Sequence, residues 1–483
     1  MKNEIKNKIM SRVKKIHFIG IGGSGMSGIA LILCDLGYEV SGSDLNVSAT
    51  IDNLKNKCIK IFIGHKKENI LSKDVVVISS AIDKDNPELK YAKQLGIPVI
   101  KRAEMLAELM RFSFGVAIAG THGKTTTTSI LSHIMNEAKF DPTYIIGGKI
   151  IDSSNAKLGS SEYLLAEADE SDASFLHLQP LMSVITNIDK DHLENHKNSF
   201  DFLKKNFIAF VNNLPFYGLC LLNISDINTK SIINKISRPI KTFGFDKNSD
   251  FYAIPRDLNN IPVIFDYKEN DKMHEMQFNM PGEHNVLNCL AAIAVSRELG
   301  ISVKNIQKSL KSFPGIKRRF EILGNYKTNN KSFIWIDDYG HHPTEIKEVL
   351  RTIKRVWEKK NITMVFQPHR YSRVQNLYGD FCRSFNDVDV VLVLPVYAAG
   401  EKEGSHTHED LYKGILDHGH RNVHYASSLQ AGLDWVQHYV ESGDVVVSLG
   451  AGNVNWIVYS LRDWILADEL EFNQQYDTKD EMA

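Results

Sequence analysis

The residues with the clearest chemical meaning form the run Ala119-Gly120-Thr121-His122-Gly123-Lys124-Thr125-Thr126. An apolar stretch, Val116 to Ala119, leads into it, and a helix is predicted from Thr125 to Met135. In a Gly-Lys-Thr turn between strand and helix, backbone N–H groups cradle phosphates, the lysine neutralises charge on a transferring phosphoryl group, and the threonine hydroxyl can ligate Mg²⁺. Ile118 stands where the general phosphate-loop pattern has its first glycine, so a shorter variant of the loop is expected. ATP is the nucleotide that this loop predicts. Two further strand ends supply candidate metal ligands. Glu167 closes Leu164-Leu165-Ala166 and opens an acidic stretch through Asp169, Glu170 and Asp172, and His192 follows a strand predicted from Ser183 to Asn187. Ligands gather outside the carboxyl ends of parallel strands, so Thr125, Glu167 and His192 are expected to converge. Mg²⁺ prefers oxygen, which makes Glu167 the natural ligand and His192 a less typical one. Without the phosphate loop beside them, the same residues would read as a solvated acidic loop and a surface histidine.

A second glycine loop, Gly20-Ile21-Gly22-Gly23-Ser24-Gly25, follows a strand predicted over Ile16 to Ile19 and opens a helix predicted over Met26 to Leu36. Glycines in a G-x-G-x-x-G turn let backbone N–H groups approach a diphosphate at the positive end of a helix. Asp44 lies about 20 residues further on, where a carboxylate can accept from a ribose hydroxyl. Read locally, this loop favours NAD, but it serves other diphosphate nucleotides equally well.

The elements that must hold these residues alternate between strand and helix, the rhythm of an α/β protein. In the first part, strands are predicted from Tyr38 to Val40 and from Val75 to Ile78; in the second, from Tyr163 to Ala166. A third block follows Phe313-Pro314-Gly315, with strands predicted over Phe333 to Ile336, Ile362 to Phe366, Val388 to Leu394 and Val445 to Leu449. The stretch from Asn213 to Asn279, rich in Asn, Lys and Asp, has weak periodicity and predicts no definite elements. The polar, acidic end from Asp468 to Ala483 reads as a frayed tail. With 483 residues, the chain is too long for one ordinary core. Three domains fit best: 1–112, 113–319 and 320–483. A formal net charge of −1 argues against binding nucleic acid through a charged field. No apolar segment follows the N-terminal lysines, and none reaches the length of about 20 residues needed to span a membrane. Cys34, Cys58, Cys220, Cys289 and Cys382 show no paired spacing, so neither a disulfide framework nor a zinc site is expected. These readings predict a cytoplasmic protein.

At Gly120-Thr121-His122-Gly123-Lys124-Thr125 the sequence resembles the Mur ligases. The histidine in that loop is like that of the members that act on UDP-N-acetylmuramic acid, either adding L-alanine or recycling a murein peptide. Further blocks agree in order and spacing: Glu167 to Asp172, Asn187 to His192, Gly282-Glu283-His284-Asn285-Val286-Leu287-Asn288, Pro314 to Arg319, Asp337 to Pro343, and Pro368 to Arg373. The resemblance implies a Rossmann-like N-terminal domain for UDP, a central ATPase domain of the phosphate-loop type, and a Rossmann-like C-terminal domain. It implies that ATP phosphorylates the muramic-acid carboxylate and that the amine of L-alanine attacks the acyl phosphate. Mg²⁺ is the implied metal, with Mn²⁺ able to replace it. Lys124, Glu167 and His192 become the catalytic set, with Thr125 and Glu167 on one metal and His192 on a second. Gly120 to Thr126, His284, Asn285 and Asn288 would contact ATP, joined by Arg319 or Arg318 and by Asp338. Asn285 could instead cap the helix predicted over Val286 to Leu299. Tyr339, Arg370 and Arg373 match positions that hold the amino-acid carboxylate, which the planar fork of arginine grips in two places. Domain closure is expected to bring these arginines to the central site. Gly20, Gly22, Gly23, Ser24, Gly25, Asp44, Ser79 and Ser80 are the UDP candidates, joined by His65 and Arg102, which rest on the resemblance. A monomer or weak homodimer is expected. The rival readings are the murein tripeptide recycling ligase and, from another class, an NAD-dependent oxidoreductase, which would leave Lys124, Thr125 and Glu167 without a role.

Overall fold

The structure, a computed structural model, describes residues 10–461 apart from 58, 80, 152, 270–271 and 328–331. Ser80, the side chain of Ser24 and the predicted tail from Asp468 to Ala483 lie outside the described residues.

β1 (Lys15–Ile19), β2 (Glu39–Asp44), β3 (Lys60–Ile63), β4 (Val75–Ile78) and β5 (Val99–Lys101) form an N-terminal sheet in the order β3-β2-β1-β4-β5. All its pairings are parallel. The order reverses at β1, so the crevice beyond the carboxyl end of β1 is the place where such a sheet takes a ligand. The Gly20–Gly25 loop lies there, and the Ser24–Asp35 helix starts directly on it. β2 runs four residues beyond its predicted end because Ser41 and Ser43 interrupt the apolar signal while being fully enclosed. Gly42 lies between them, and a Cβ there would sit 2.5 Å from Ile21 Cδ1 and 2.9 Å from the Phe18 carbonyl oxygen. Overpacking a core of this kind costs about 1–3 kcal/mol. Gly42→Ala is therefore expected to lower the thermal midpoint, a change to be read by calorimetry; an unchanged midpoint would mean that the loop yields freely.

The central sheet consists of β6 (Phe114–Ala119), β7 (Thr143–Ile145), β8 (Ala156–Lys157), β9 (Tyr163–Ala168), β10 (Met182–Ile185), β11 (Leu219–Asn223), β12 (Ile240–Gly244), β13 (Phe251–Asp257), β14 (Val263–Glu269) and β15 (Lys272–Phe278). Its order is β15-β14-β13-β12-β11-β10-β6-β9-β7-β8. β6, between β9 and β10, is buried from Gly115 to Ala119, as a strand covered on both faces must be. β11 to β15 fill the stretch in which no elements were expected. β14 alternates buried and half-buried residues along much of its length, so every second position is free to be polar and no continuous apolar run forms. The predicted strand from Ser183 to Asn187 ends at Ile185 because Thr186 and Asn187 turn their side chains to the His122 carbonyl, at 2.6 and 2.9 Å.

β16 (Glu321–Lys327), β17 (Ser332–Asp338), β18 (Ile362–Phe366), β19 (Val390–Val393), β20 (Val423–Tyr425) and β21 (Val445–Leu449) form the third sheet, in the order β16-β17-β21-β18-β19-β20. It is parallel except at β16, which pairs antiparallel with β17. The four strands predicted here are present; β16 and the three-residue β20 were not expected.

The chain divides into two compact units, a larger one with the N-terminal and central sheets and a smaller one with the third sheet. Within the larger unit one apolar core runs through both sheets, from Phe18 and Ile29 through Leu106 and Leu109 to Ala166, Phe175 and Phe207. No helix among the described residues is long and apolar enough to cross a membrane. Cys34, Cys220, Cys289 and Cys382 are free thiols, and Cys58 lies outside the described residues.

Candidate nucleotide and ligation site

β6 delivers the chain into the phosphate loop, and two glycines with positive φ, Gly120 at 137° and Gly123 at 83°, make its turn. Gly123 is the N-cap of the Lys124–Glu137 helix and has no side chain to bond its first N–H groups, which leaves that helix end suited to an anion. The loop is braced from the end of β10. Asn187 Oδ1 accepts from the His122 N–H at 2.9 Å, Thr121 Oγ1 accepts from the Asp189 N–H at 2.9 Å, and His122 Nε2 faces Asp189 Oδ2 at 3.3 Å. These contacts hold the loop in shape.

Lys124 Nζ donates to the carbonyls of Gly120 (2.6 Å) and Thr121 (3.2 Å) and to Glu170 Oε2 (2.6 Å). Burial would lower the Lys124 ammonium, but the Glu170, Asp169 and Glu167 carboxylates hold it above its ordinary value. It is a fixed cation. Burial pushes the Glu170 carboxyl up, against the pull of Lys124. Asp169 is lowered on balance: burial would raise it, and the charges of Lys124 and Arg102 outweigh that.

At the end of β9, Glu167 Oε2 accepts from the Thr125 hydroxyl at 3.0 Å, and its Oε1 accepts from the Gly147 N–H at 2.6 Å. Of the three residues expected to converge, Thr125, Glu167 and His192, it is Thr125 and Glu167 that meet in this hydrogen bond. A hydroxyl and a carboxylate offer the hard oxygen set that suits Mg²⁺. His192, in left-handed backbone at φ 54°, has its ring beside Asp191 (3.5 Å) and Glu194 (3.7 Å). Asn285 and Asn288 are buried in the Glu283–Glu298 helix, which begins ahead of its predicted start, so Asn285 lies within the helix and not at its cap. Asn288 Oδ1 accepts from the Thr127 hydroxyl at 3.4 Å, which packs this helix against the one that opens on the phosphate loop.

In the N-terminal sheet, Asp44 Oδ2 accepts from the Gly22 N–H at 2.9 Å and so anchors the first glycine loop. Ser79 packs beside Gly20, its Cβ 3.5 Å from where a Gly20 side chain would begin. Arg102 opens the Arg102–Met110 helix and lies over Gly25, where an added Cβ would come within 3.0 Å of its Nη1. Its Nη2 donates to Asp169 Oδ2 at 3.1 Å, so one arginine touches both the glycine loop and the acidic strand end. Asp169, Glu170, Gly147, Thr186 and Asn187 are contacts that sequence reasoning did not single out; the acidic run was visible, but which of its carboxylates faced which partner was not.

The smaller unit holds the remaining candidates. Arg318 donates to the Gly452 carbonyl at 3.0 Å and to that of Gly450, and faces Asp337 at 3.4 Å. Arg319 lies 4.9 Å over the Tyr339 ring and 4.0 Å from Glu345. Arg318, which also lies 5.2 Å over the Tyr339 ring, is therefore tied to its own framework. Asp338 accepts from the Phe320 and Gly340 N–H groups, each at 2.6 Å, and burial pushes its carboxyl up to about 6. Arg370 takes left-handed backbone at φ 68°, and the largely buried Arg373 reaches His369 Nδ1 at 3.2 Å.

Parallel-rich α/β sheets, with a Gly-Lys-Thr loop opening a helix at the end of a buried strand of the central one, have the build of a nucleotide-dependent enzyme. Family comparison gives that class its place. The Mur ligase family catalytic domain matches residues 15–114, the Mur ligase middle domain residues 118–296, and the Mur ligase glutamate ligase domain residues 318–452. The chain belongs to the Mur ligase family. It is 47% identical over 457 residues to a UDP-N-acetylmuramate–L-alanine ligase of Vesicomyosocius okutanii, covering 94% of this chain and 97% of that one. It is 46% identical over 456 residues to the enzyme of the same name from Hydrogenovibrio crunogenus, covering 94% and 98%. Among solved structures, a UDP-N-acetylmuramate-alanine ligase of Thermotoga maritima aligns with a TM-score of 0.77 at 28% identity, covering 96% of this chain and 99% of that one. A murein peptide ligase of Psychrobacter arcticus aligns with a TM-score of 0.72 at 25% identity, covering 94% and 98%.

Proposed function

We propose that this chain uses ATP to join L-alanine to the carboxylate of UDP-N-acetylmuramic acid, releasing ADP and phosphate, in peptidoglycan precursor synthesis. The observation that carries this reading is a phosphate loop joined to an oxygen metal set, in a chain 47% identical over 94% of its length to a ligase of that name. A free carboxylate is a poor acylating agent because it would have to expel oxide. Attack of a carboxylate oxygen on the γ-phosphorus of ATP, with loss of ADP, turns that oxygen into part of a phosphate leaving group. The alanine amine then attacks the acyl carbon, loses a proton, and phosphate departs.

The chain's contribution is positioning and electrostatics. Lys124, held cationic among carboxylates, would leave Glu170 for the phosphoryl oxygens, and the first N–H groups after Gly123 would receive the phosphates. Thr125 and Glu167 would hold Mg²⁺, which supplies charge neutralisation to the phosphates when bound; Mn²⁺ offers similar chemistry. His192 is proposed for a second metal, its ring having to exchange Asp191 and Glu194 for that role. The first glycine loop with Asp44, Ser79, His65 and Arg102 is proposed to take the UDP part. Tyr339, Arg370 and Arg373 are proposed to take the alanine carboxylate. A nucleotide-sugar substrate fits a cytoplasmic enzyme, and a monomer or weak homodimer is proposed.

Phosphate release with UDP-N-acetylmuramate, ATP, Mg²⁺ and L-alanine is expected well above the alanine-free control; no excess would overturn the reading. Replacing alanine by L-Ala-γ-D-Glu-meso-diaminopimelate should give little release, since equal or greater turnover would indicate a recycling ligase. NADH should not bind, and binding would favour an oxidoreductase.

A further inference from the structure

Beside β2 of the N-terminal sheet lies a polar cluster around Glu88; its Ser43 also meets the glycine loop, since the Gly20 and Ile21 N–H groups donate to the Ser43 carbonyl at 2.9 and 3.1 Å. Glu88, in the first turn of the Pro87–Gln94 helix, is wholly buried. One of its oxygens accepts from the Ser43 hydroxyl at 2.5 Å and lies 3.1 Å from His65 Nδ1. The other accepts from Asn69 Nδ2 at 2.5 Å and faces His17 Nε2 at 3.7 Å. A buried carboxylate is costly unless it is surrounded by donors in this way. Burial would raise the Glu88 carboxyl, and the His17, Ser43 and Asn69 contacts bring it below its usual value, so it is ionised near neutral pH.

The arrangement fixes a proton. Ser43 gives its single hydrogen to Glu88, so toward His65 Nδ1, 3.0 Å away, its oxygen can only accept. Glu88 can only accept as well. Both neighbours of Nδ1 are acceptors, so Nδ1 carries a hydrogen, and of the two neutral tautomers the site selects the one whose lone pair is at Nε2. The His65 side chain keeps 10% of its surface exposed. Its position follows from β3, since the Gly64 N–H just before it donates to the Asp44 carbonyl at 2.8 Å. His65 therefore lies beside the end of β2, where sheets of this type receive the nucleoside and not the diphosphate.

We propose that Glu88 is a positioning residue for the nucleotide: it holds His65 in the Nδ1–H tautomer so that Nε2 accepts an N–H or O–H of the nucleoside half of UDP. The inference rests on the proposed UDP-substrate reading. Glu88→Gln is the informative change, because the side chain keeps its size and loses one acceptor. With its oxygen toward Ser43 and His65, the new NH₂ meets the Asn69 NH₂; turned the other way, it meets the His65 N–H.

In steady-state kinetics E88Q is expected to raise KM for UDP-N-acetylmuramate about tenfold, as loss of a group that orients a histidine ligand does, with kcat and KM for ATP within about twofold. His65→Ala should raise the same KM, and the double variant should be no worse than His65→Ala. Calorimetric titration with UDP, CDP and 2′-deoxy-UDP should show that the wild type discriminates against an analogue lacking the imide N–H or the 2′-hydroxyl, and that both single variants lose that discrimination. Pyrophosphate binding should not change. Additive effects in the double variant, a kcat loss at constant KM, or an equal loss of pyrophosphate binding would overturn the proposal. ¹⁵N-histidine NMR of the unsubstituted protein, which needs neither substrate nor variant, should report His65 as Nδ1–H; an Nε2–H ring would overturn it even if E88Q failed to fold. That spectrum also separates this inference from the functional reading, which is tested by the turnover and NADH-binding assays.

Discussion

Lys124→Ala is expected to reduce ligation by at least about a thousandfold, the scale on which phosphoryl transfer depends on the cation at the transferring group. Lys124 is held between two loop carbonyls and Glu170, with Asp169 and Glu167 also acting on its charge. Without it, the same pocket presents acids to the phosphates of ATP. The substitution also leaves Glu170, 3% exposed, without its partner; its carboxyl, already pushed up by burial, would then take up a proton, at a cost in stability. Lys124→Ala with Glu170→Gln should therefore recover the thermal midpoint and remain inactive, which separates catalysis from folding. Binding of UDP, measured by calorimetry, should stay within about twofold in both variants, because the glycine loop that would take it lies on another sheet. Activity within tenfold of wild type, or parallel loss of UDP binding in the stabilised double variant, would contradict the assignment.

Glu167→Gln carries the second large effect, a loss in kcat of about a hundredfold with a marked rise in the Mg²⁺ concentration needed for half-maximal rate. The amide keeps an oxygen for the Gly147 N–H but turns an NH₂ toward Thr125, where the carboxylate now accepts that hydroxyl at 3.0 Å. An uncharged side chain with one oxygen is a weak ligand for a hard cation. The check is a Mg²⁺ titration of phosphate release at saturating ATP. An unchanged Mg²⁺ dependence would move the metal away from Glu167 and leave it a role in bracing the loop.

Much of the central site was legible because its chemistry is carried by contiguous residues between strong signals. The run into Lys124 and Thr125 follows a fully buried strand, and Glu167 ends another, so both the loop and the meeting of Thr125 with Glu167 followed from the pattern. What stayed hidden depends on partners distant in sequence. Nothing about Glu88 in a polar helix marks it as wholly buried, and only the fold brings Ser43, His65 and Asn69 around it. Arg102 and Asp169, 67 residues apart, meet only when the first two sheets are packed together. The difference in surroundings between Arg318 and Arg319 was hidden for the same reason: two adjacent arginines are equivalent until one is seen held by the Gly450 and Gly452 carbonyls. The strands β13 to β15 were missed because each buries only part of its length, and a half-solvated strand does not announce itself by hydrophobicity.

The apolar core shared by the N-terminal and central sheets has a consequence for how this chain can be divided or recombined. Leu106, Leu109 and Met110 of the Arg102–Met110 helix belong to the same cluster as Phe175, Phe207 and Phe210. A cut near residue 112 would leave that greasy surface bare on both fragments, inviting aggregation where a clean module might be sought. The N-terminal part is thus not an interchangeable cassette: a chimera that imports it from a relative must import the facing side of the central part as well.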